Sequence, residues 1–284
     1  MMTCRHTAFM QTKFMPSQIA SFQTSFVRII LRVTFVILGV QHAVGIQSAT
    51  FAAERPKGPN VIVILTDNHG AWTLGCYGNP EIRTPHIDRL AKEGTLFNRA
   101  FASNPVCSPT RATLLTGLLP SQHGVHCFLR GGRLQIGGGA RNTLGEFRSM
   151  GEVFRDAGYR CGLVGKWHLG ANMTPQEGLD DEWVTMPHGG TSTFYDAQVI
   201  EDGKLRKEPQ YLTEFWTERS VDFIEKSQKD DRPFFLYLAY NGPYGLGRLL
   251  LREPQNRHAE TYKDFKGSSF PNEGIHPWQY NNLD

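Results

Sequence analysis

The sequence lacks the paired cysteine pattern that would indicate a disulfide framework or a common zinc site. Five cysteines are an odd number, and no two of them form a Cys-x-x-Cys pair. Zinc sites and small disulfide-rich domains prefer paired, closely spaced cysteines. At least one cysteine is therefore unpaired, and the four other than Cys107 are predicted to be mainly small buried residues: Cys4, Cys76, Cys127 and Cys161.

The sequence also lacks a basic cluster. Thirty Lys and Arg residues stand against 27 Asp and Glu, which gives a net charge of +3, and the basic residues are spread along the chain. Nucleic-acid binding needs a basic stripe or patch. The composition therefore offers no support for a nucleic-acid partner.

No apolar run reaches the roughly 20 residues that a membrane-spanning helix needs. A shorter apolar stretch, residues 33–46, follows Arg28 and Arg32 and leads to small residues at 49–53. A positive flank, a short apolar stretch and small residues are the parts of a secretory signal. We expect residues 1–53 to form a targeting segment and the protein to be exported to the periplasm or beyond the cell. An uncleaved membrane anchor is the alternative.

Strand and helix patterns alternate from residue 60 onward. Residues 60–66 (NVIVILT) form a continuous aliphatic run, which predicts a strand buried on both faces. Apolar spacing, prolines and glycines predict further elements downstream. Together they indicate an α/β three-layer sandwich with a mostly parallel central sheet. The predicted strands are 60–66, 95–101, 159–164 and 234–239, and the predicted helices are 87–93, 109–115, 144–157 and 211–226.

Cys107 stands out among the cysteines because of its surroundings. Prolines flank it at 105 and 109, and a helix that begins near Pro109 would direct free N–H groups and the positive end of its dipole at the thiol. Arg111 adds a fixed cation within about one helical turn. These features favour an anion at this position, either a thiolate or a bound sulfate. A buried structural cysteine is the alternative from the residues alone.

The run Cys107-Ser108-Pro109-Thr110-Arg111, followed by Ala-Thr-Leu-Leu-Thr-Gly, resembles the sulfatase motif C-x-P-x-R. The resemblance extends over about residues 59–245. It implies an alkaline phosphatase-like fold for a catalytic domain in residues 54–284. It also implies sulfate-ester hydrolysis through a formylglycine that a maturation enzyme forms from Cys107. The implied substrate is a sulfated small molecule or carbohydrate.

Further residues match the family at two strand ends. Asp67 and Asn68 fall on metal-ligand positions, so the resemblance implies one Ca²⁺ held by these two residues and the modified Cys107. Lys166 and His168, in Gly-Lys-Trp-His-Leu-Gly, fall on the pair that contacts sulfate. Residues two apart point the same way when the backbone is extended. On that condition we expect Lys166 to neutralise the charge of the sulfate and His168 to hydrogen-bond the nucleophile or an oxyanion.

Two departures from the family pattern stand out. Tyr244 occupies the place where many members have a histidine, and a phenol with an ordinary pKa near 10 is a less ready general acid than an imidazole. The family's second pair of metal ligands and another lysine have no counterpart before Asp284. We therefore expect a catalytic domain that is incomplete at its C-terminal end.

Two other functions stay open at this stage. The chain could hydrolyse a phosphodiester or phosphonate, because enzymes of related fold share the same kind of metal-binding site. It could also be a non-catalytic fragment without a complete metal site.

Overall fold

The two most buried strands among the described residues lie side by side inside one sheet. In the computed structural model, which describes residues 58–244 and 258–270 of a unit spanning Arg55–Asp284, strand β2 is Arg160–Gly165 and strand β6 is Phe234–Ala239. All six residues of β6 are buried. Apolar runs of this kind suit a strand covered on both faces.

Within the described residues the sheet has six strands, and the other four are β1 Val61–Leu65, β3 Glu182–Thr185, β4 Ala197–Glu201 and β5 Lys204–Glu208. Their order across the sheet is β1-β6-β2-β3-β4-β5. Strands β1, β6, β2 and β3 are parallel to one another, whereas β4 is antiparallel to both β3 and β5 at one edge. The prediction of an α/β fold with a mostly parallel sheet is therefore confirmed.

Helices cover both faces of the sheet. Helix α6, Leu212–Ser227, buries Trp216 and Phe223 against one face of β2 and β6. Helices α2, Cys107–Thr116, and α5, Met150–Asp156, cover the opposite face of the same strands. The result is a three-layer arrangement. The remaining helices are α1 Pro85–Glu93, α3 Pro120–His123 and α4 Gly132–Gln135, with 3₁₀ turns at Ala71–Thr73, Gly75–Tyr77 and Ala259–Tyr262.

Three local predictions are wrong. Strand β1 is not buried on both faces, since Ile62 and Ile64 are 45% and 56% exposed. Residues 95–101 form no strand, because no sheet edge pairs with them and most of their side chains face solvent. The helix predicted over 144–157 starts only at Met150, because Ser149 caps it by accepting a hydrogen bond from the Glu152 N–H.

The targeting segment predicted for residues 1–53 lies outside the residues that the structure describes. Within residues 58–244 and 258–270, no helix is long and apolar enough to cross a membrane.

Gly165, the last residue of β2, adopts a conformation that favours glycine. Its φ is +110°, and a Cβ at this position would lie 2.0 Å from the carbonyl oxygen of Ala239 on β6. The backbones of β2 and β6 therefore approach each other closely here, one residue before Lys166. A side chain would force β2 and β6 apart.

We predict that Gly165→Ala lowers the free energy of unfolding by about 3 kcal/mol or more, from backbone strain plus overpacking. Urea denaturation measures the change. Gly138→Ala is the matched control, because a Cβ there meets no atom within 4 Å and the effect should stay within about 0.5 kcal/mol. Equal stability of the two variants would show that the approach of β2 to β6 is not constrained at Gly165.

Candidate active site

The carboxyl ends of three parallel strands meet at one edge of the sheet. Leu65 of β1 and Gly165 of β2 both pair with Ala239 of β6, so the three strands end at the same level. Lys166 directly follows β2, and Asp67 is the second residue after β1. The Asp67 N–H donates to the Gly242 carbonyl at 3.0 Å, and the Lys166 N–H donates to the Ala239 carbonyl at 2.7 Å. In open α/β sheets this edge is where ligands bind.

Cys107 is the first residue of α2, and the helix N-terminus lacks a side-chain cap. The preceding loop is held by Thr110, whose hydroxyl donates to the Asn104 carbonyl at 2.5 Å. The thiol is free and half-buried. The free N–H groups of the first turn and the helix dipole favour an anion beside Cys107.

A buried charge cluster joins α2 to the strand ends. The Asp67 Oδ2 atom lies 2.5 Å from the Lys166 Nζ and 3.2 Å from the Arg111 Nη2. Lys166, Arg111 and Asp67 are 0%, 2% and 5% exposed. Arg111 also donates from Nη1 to the Lys166 carbonyl at 2.7 Å. One carboxylate thus faces two cations, and the cluster carries a surplus positive charge.

The surplus charge lies next to the thiol of Cys107. The Lys166 ammonium donates to the Cys107 Sγ at 3.4 Å, and the same sulfur is 3.7 Å from the Asp67 Oδ1. Four residues that the sequence singled out therefore come together: Asp67, Cys107, Arg111 and Lys166. A cationic group beside a helix N-terminus stabilises a thiolate or a bound oxyanion.

His168 departs from the expected geometry. Its φ is +59°, so the extended backbone on which a shared direction with Lys166 depended is not present. The ring is buried, contacts Phe128 edge-on, and donates from Nε2 to the Leu129 carbonyl at 3.1 Å. Burial and the nearby Lys166 charge lower its pKa to about 3. His168 is therefore a neutral imidazole here, and its contact with the nucleophile or with sulfate stays a prediction.

Tyr244, which stands where the resemblance places a histidine, lies at the site. Its ring centroid is 5.2 Å from the Lys166 Nζ, a cation–π distance. Burial raises the pKa of Tyr244, and the charges of Cys107 and Asp67 raise it further. The phenol therefore keeps its proton at neutral pH.

Sequence reasoning missed two residues that support the site. A Cβ on Gly189 would lie 1.9 Å from the His168 ring, so only glycine leaves room for the ring in this place. Tyr237 is fully buried on β6; burial raises the pKa of its hydroxyl, and the nearby Arg111 opposes that rise. The available signals were the Gly189-Gly190 pair and a lone hydroxyl in the apolar run FFLYLA.

The described residues do not by themselves form a shell for a hard divalent ion. Ca²⁺ takes six to eight oxygen ligands, whereas residues 58–244 and 258–270 contain no group of three or more His, Cys, Asp or Glu side chains that could hold a metal. The Asp67 carboxylate already faces Lys166 and Arg111. Asn68 is exposed, with a φ of +56°. Calcium and its ligation by Asp67, Asn68 and Cys107 stay predictions.

A family model and a curated relative both match this chain to sulfatases. The family model described as Sulfatase matches residues 59–273. N-acetylgalactosamine-6-sulfatase of Canis lupus familiaris is 34% identical over 220 residues, which cover 68% of this chain. The matched region includes the strand ends and helix α2 that build the charge cluster.

Two solved structures resemble the fold. A protein in complex with its substrate D-glucosamine-2-N,6-O-disulfate is 30% identical over 66% of this chain, with a TM-score of 0.54. A second, in complex with k-i-k-neocarrahexaose, is also 30% identical over 66% of the chain, with a TM-score of 0.58. These matches cover 35% and 46% of the solved chains.

The match to the canine enzyme covers 41% of that protein's length. This chain therefore matches less than half the length of the canine enzyme and of the two solved structures. The family model nevertheless matches well over half of this chain, across the residues that form the sheet and the charge cluster. This chain belongs to the sulfatase family.

Proposed function

We propose that the protein hydrolyses a sulfate ester at Cys107. The observation that carries this proposal is the surplus positive charge beside the thiol, with the Lys166 ammonium 3.4 Å from the sulfur in a chain of the sulfatase family. Sulfate is an anion, and the charge that develops on its oxygens during hydrolysis is stabilised by fixed donors and cations. The cluster supplies both on the side where Cys107 lies.

The nucleophile of the proposal is a formylglycine made from Cys107. When this aldehyde is hydrated, one of its two hydroxyl oxygens attacks sulfur, the S–O bond to the alcohol breaks, and the alcohol leaves with a proton. The second hydroxyl then loses its proton and re-forms the C=O bond, which expels sulfate and restores the aldehyde, and water hydrates it again. The free, half-buried thiol at the start of α2 is compatible with modification by a maturation enzyme. No disulfide competes for it among the described residues.

The chain's own side chains have separate tasks in this reaction. Lys166 donates toward the sulfate oxygens and the group at position 107, while Arg111 neutralises Asp67 and fixes the direction of its carboxylate. The neutral His168 is held at its Nε2 by Leu129, which leaves Nδ1 as a hydrogen-bond acceptor. Tyr244 offers a protonated phenol rather than an imidazole on the same side as Lys166. We assign no step to a metal ion.

The proposed substrate is a sulfated carbohydrate. The canine relative is named for sulfate removal from N-acetylgalactosamine, and the two similar structures hold a glucosamine disulfate and a neocarrahexaose. A small sulfated molecule is the wider class. A phosphodiester substrate is an outcome that the assays below would reveal.

Export completes the proposal, because sulfated polysaccharides lie outside the cell. We predict that full-length protein expressed from residue 1 is recovered in the periplasmic or extracellular fraction and has lost its first residues. N-terminal sequencing of the recovered protein measures this. An intact N-terminus in the membrane fraction would instead indicate the anchored alternative.

We predict that Cys107→Ala lowers turnover of an aryl sulfate by at least about a thousandfold, because it removes the nucleophile. Protein produced together with a maturation enzyme is the starting material, and peptide mass spectrometry confirms the modification. Cys127→Ala is the matched control, since that cysteine is free and exposed.

The control should keep turnover within about twofold of the parent protein, as surface substitutions usually do. Equal turnover by the Cys107 and Cys127 variants would sink the proposal. Preferential turnover of a phosphate diester would redirect it to the other substrate class.

We predict that Lys166→Met lowers kcat/KM for the same ester by about a hundredfold or more, because one charge that stabilises the transition state is lost. Lys226→Met is the control, since the Lys226 side chain is half exposed and lies in the last turn of α6, whose backbone contacts Arg160 at the opposite end of β2 from Lys166. Steady-state kinetics over a range of substrate concentrations measure both. An unchanged kcat/KM in the Lys166 variant would remove this residue from the sulfate contact.

A further inference from the structure

The His168 ring is held by a loop that has no hydrogen-bonded ladder of its own. Residues 126–130 lie between α3 and α4, and within the described part of the chain they form no backbone–backbone hydrogen bond. The Phe128 ring contacts the His168 ring edge-on, with 4.4 Å between the centroids, and the Leu129 carbonyl accepts from the His168 Nε2 at 3.1 Å. The direction of the His168 ring therefore depends on whatever fixes this loop.

Ser108, the residue after Cys107, fixes the loop to helix α2. It has no exposed surface, and its Oγ accepts a hydrogen bond from the Leu129 N–H at 3.2 Å. Asn104 holds the start of the loop, since its Nδ2 donates to the His126 carbonyl at 3.0 Å. Both contacts come from residues close to Cys107 in the chain, so the loop is fixed from the side of the proposed nucleophile.

The Leu129 peptide group connects Ser108 to the imidazole. Its N–H donates to Ser108, and its carbonyl faces the His168 Nε2. Gln135 also approaches this carbonyl, but its Nε2 is 3.5 Å away, which is long for a hydrogen bond. Because a carbonyl oxygen can only accept, the neutral ring keeps its proton on Nε2 while the contact lasts.

The other ring nitrogen is then free to act as an acceptor. The His168 Nδ1 is buried and has no hydrogen-bond partner among the described residues. Buried polar atoms are nearly always paired, so an unpaired one is a place where a donor from a ligand can bind. In the opposite tautomer Nδ1 would carry the proton, and the same donor would meet an N–H instead of an acceptor.

We propose that Ser108 is a positioning residue for His168: by fixing the Leu129 peptide group, it holds the imidazole in the Nε2–H tautomer and keeps Nδ1 free as an acceptor. The residue next to the nucleophile thus orients a second residue of the site. The consequence for turnover rests on the proposed hydrolysis, whereas the effect on the tautomer does not.

The direct test is the ¹⁵N NMR spectrum of the ring, recorded on the full chain without substrate. Labelling with ¹⁵N-histidine shows which nitrogen carries the proton, and His168→Gln identifies the signals by their absence. We expect the parent protein to carry the proton on Nε2. In Ser108→Ala the shifts of the two nitrogens should move toward each other, because the released ring exchanges between its tautomers.

Ser149→Ala is the matched control. Ser149 is also buried and its Oγ also accepts from a backbone N–H, that of Glu152 at 3.1 Å, but it caps α5. Both variants lose one buried acceptor, so a general loss of stability affects both, and thermal unfolding compares them. Ser149→Ala should keep the parent shifts of His168. A proton on Nδ1 in the parent, or parent shifts in Ser108→Ala, would overturn the proposal.

Steady-state kinetics with an aryl sulfate measure the consequence for turnover, with rates expressed per formylglycine as counted by peptide mass spectrometry. We expect Ser108→Ala to lower kcat by about tenfold or more, because a functional imidazole in the wrong tautomer loses activity. KM should stay within about threefold, since the Lys166 charge is untouched. Equal kcat in the two alanine variants of an active parent would contradict the proposal. An inactive parent would remove only the proposed function, because the ring spectra decide the positioning role without substrate.

Discussion

The structure around the site depends on one buried carboxylate. Asp67 connects strand β1 to helix α2 through Arg111 and to strand β2 through Lys166, and these partners lie 44 and 99 residues away in the chain. Removal of one partner from a buried, hydrogen-bonded ion pair typically costs about 3–5 kcal/mol, because the remaining charge stays unsolvated. The complete cluster thus stabilises this part of the fold and is also part of the proposed chemistry.

The parallel sheet positions the residues of the charge cluster. Because β1, β6 and β2 end in register, the residues that follow them arrive at one level, and backbone hydrogen bonds to Gly242 and Ala239 fix Asp67 and Lys166. Gly165 allows β2 and β6 to close at that point. Cys107, the first residue of helix α2, lies next to this edge, with its sulfur 3.4 Å from the Lys166 Nζ. The position of the thiol therefore follows from sheet register and from the helix N-terminus together.

Sequence reasoning succeeded where local chemistry determines the geometry. The helix at Cys107 and the strand ends at Asp67 and Lys166 follow from Pro, Gly and apolar runs, and parallel order brings them together. Strands β3 to β5 were missed because runs such as KLRKE are polar and become strands only through pairing. The left-handed conformation of His168 was not foreseeable from the sequence, since it depends on Gly189 and Leu129 lying close in space.

Arg111 and Lys166 carry the same charge but have different freedom. Arg111 is held by two acceptors and functions as part of the framework, while Lys166 ends a flexible chain among a carboxylate, a sulfur and an aromatic ring. The Lys166 ammonium has three N–H donors, so it contacts Asp67 and Cys107 together and would still have a donor for a sulfate oxygen in the proposed reaction. The Tyr244 ring lies beside this ammonium, and a ring face attracts a cation whereas a protonated histidine would repel it. At the position where the family resemblance leads us to expect a histidine, this chain therefore has a side chain that stabilises the Lys166 ammonium.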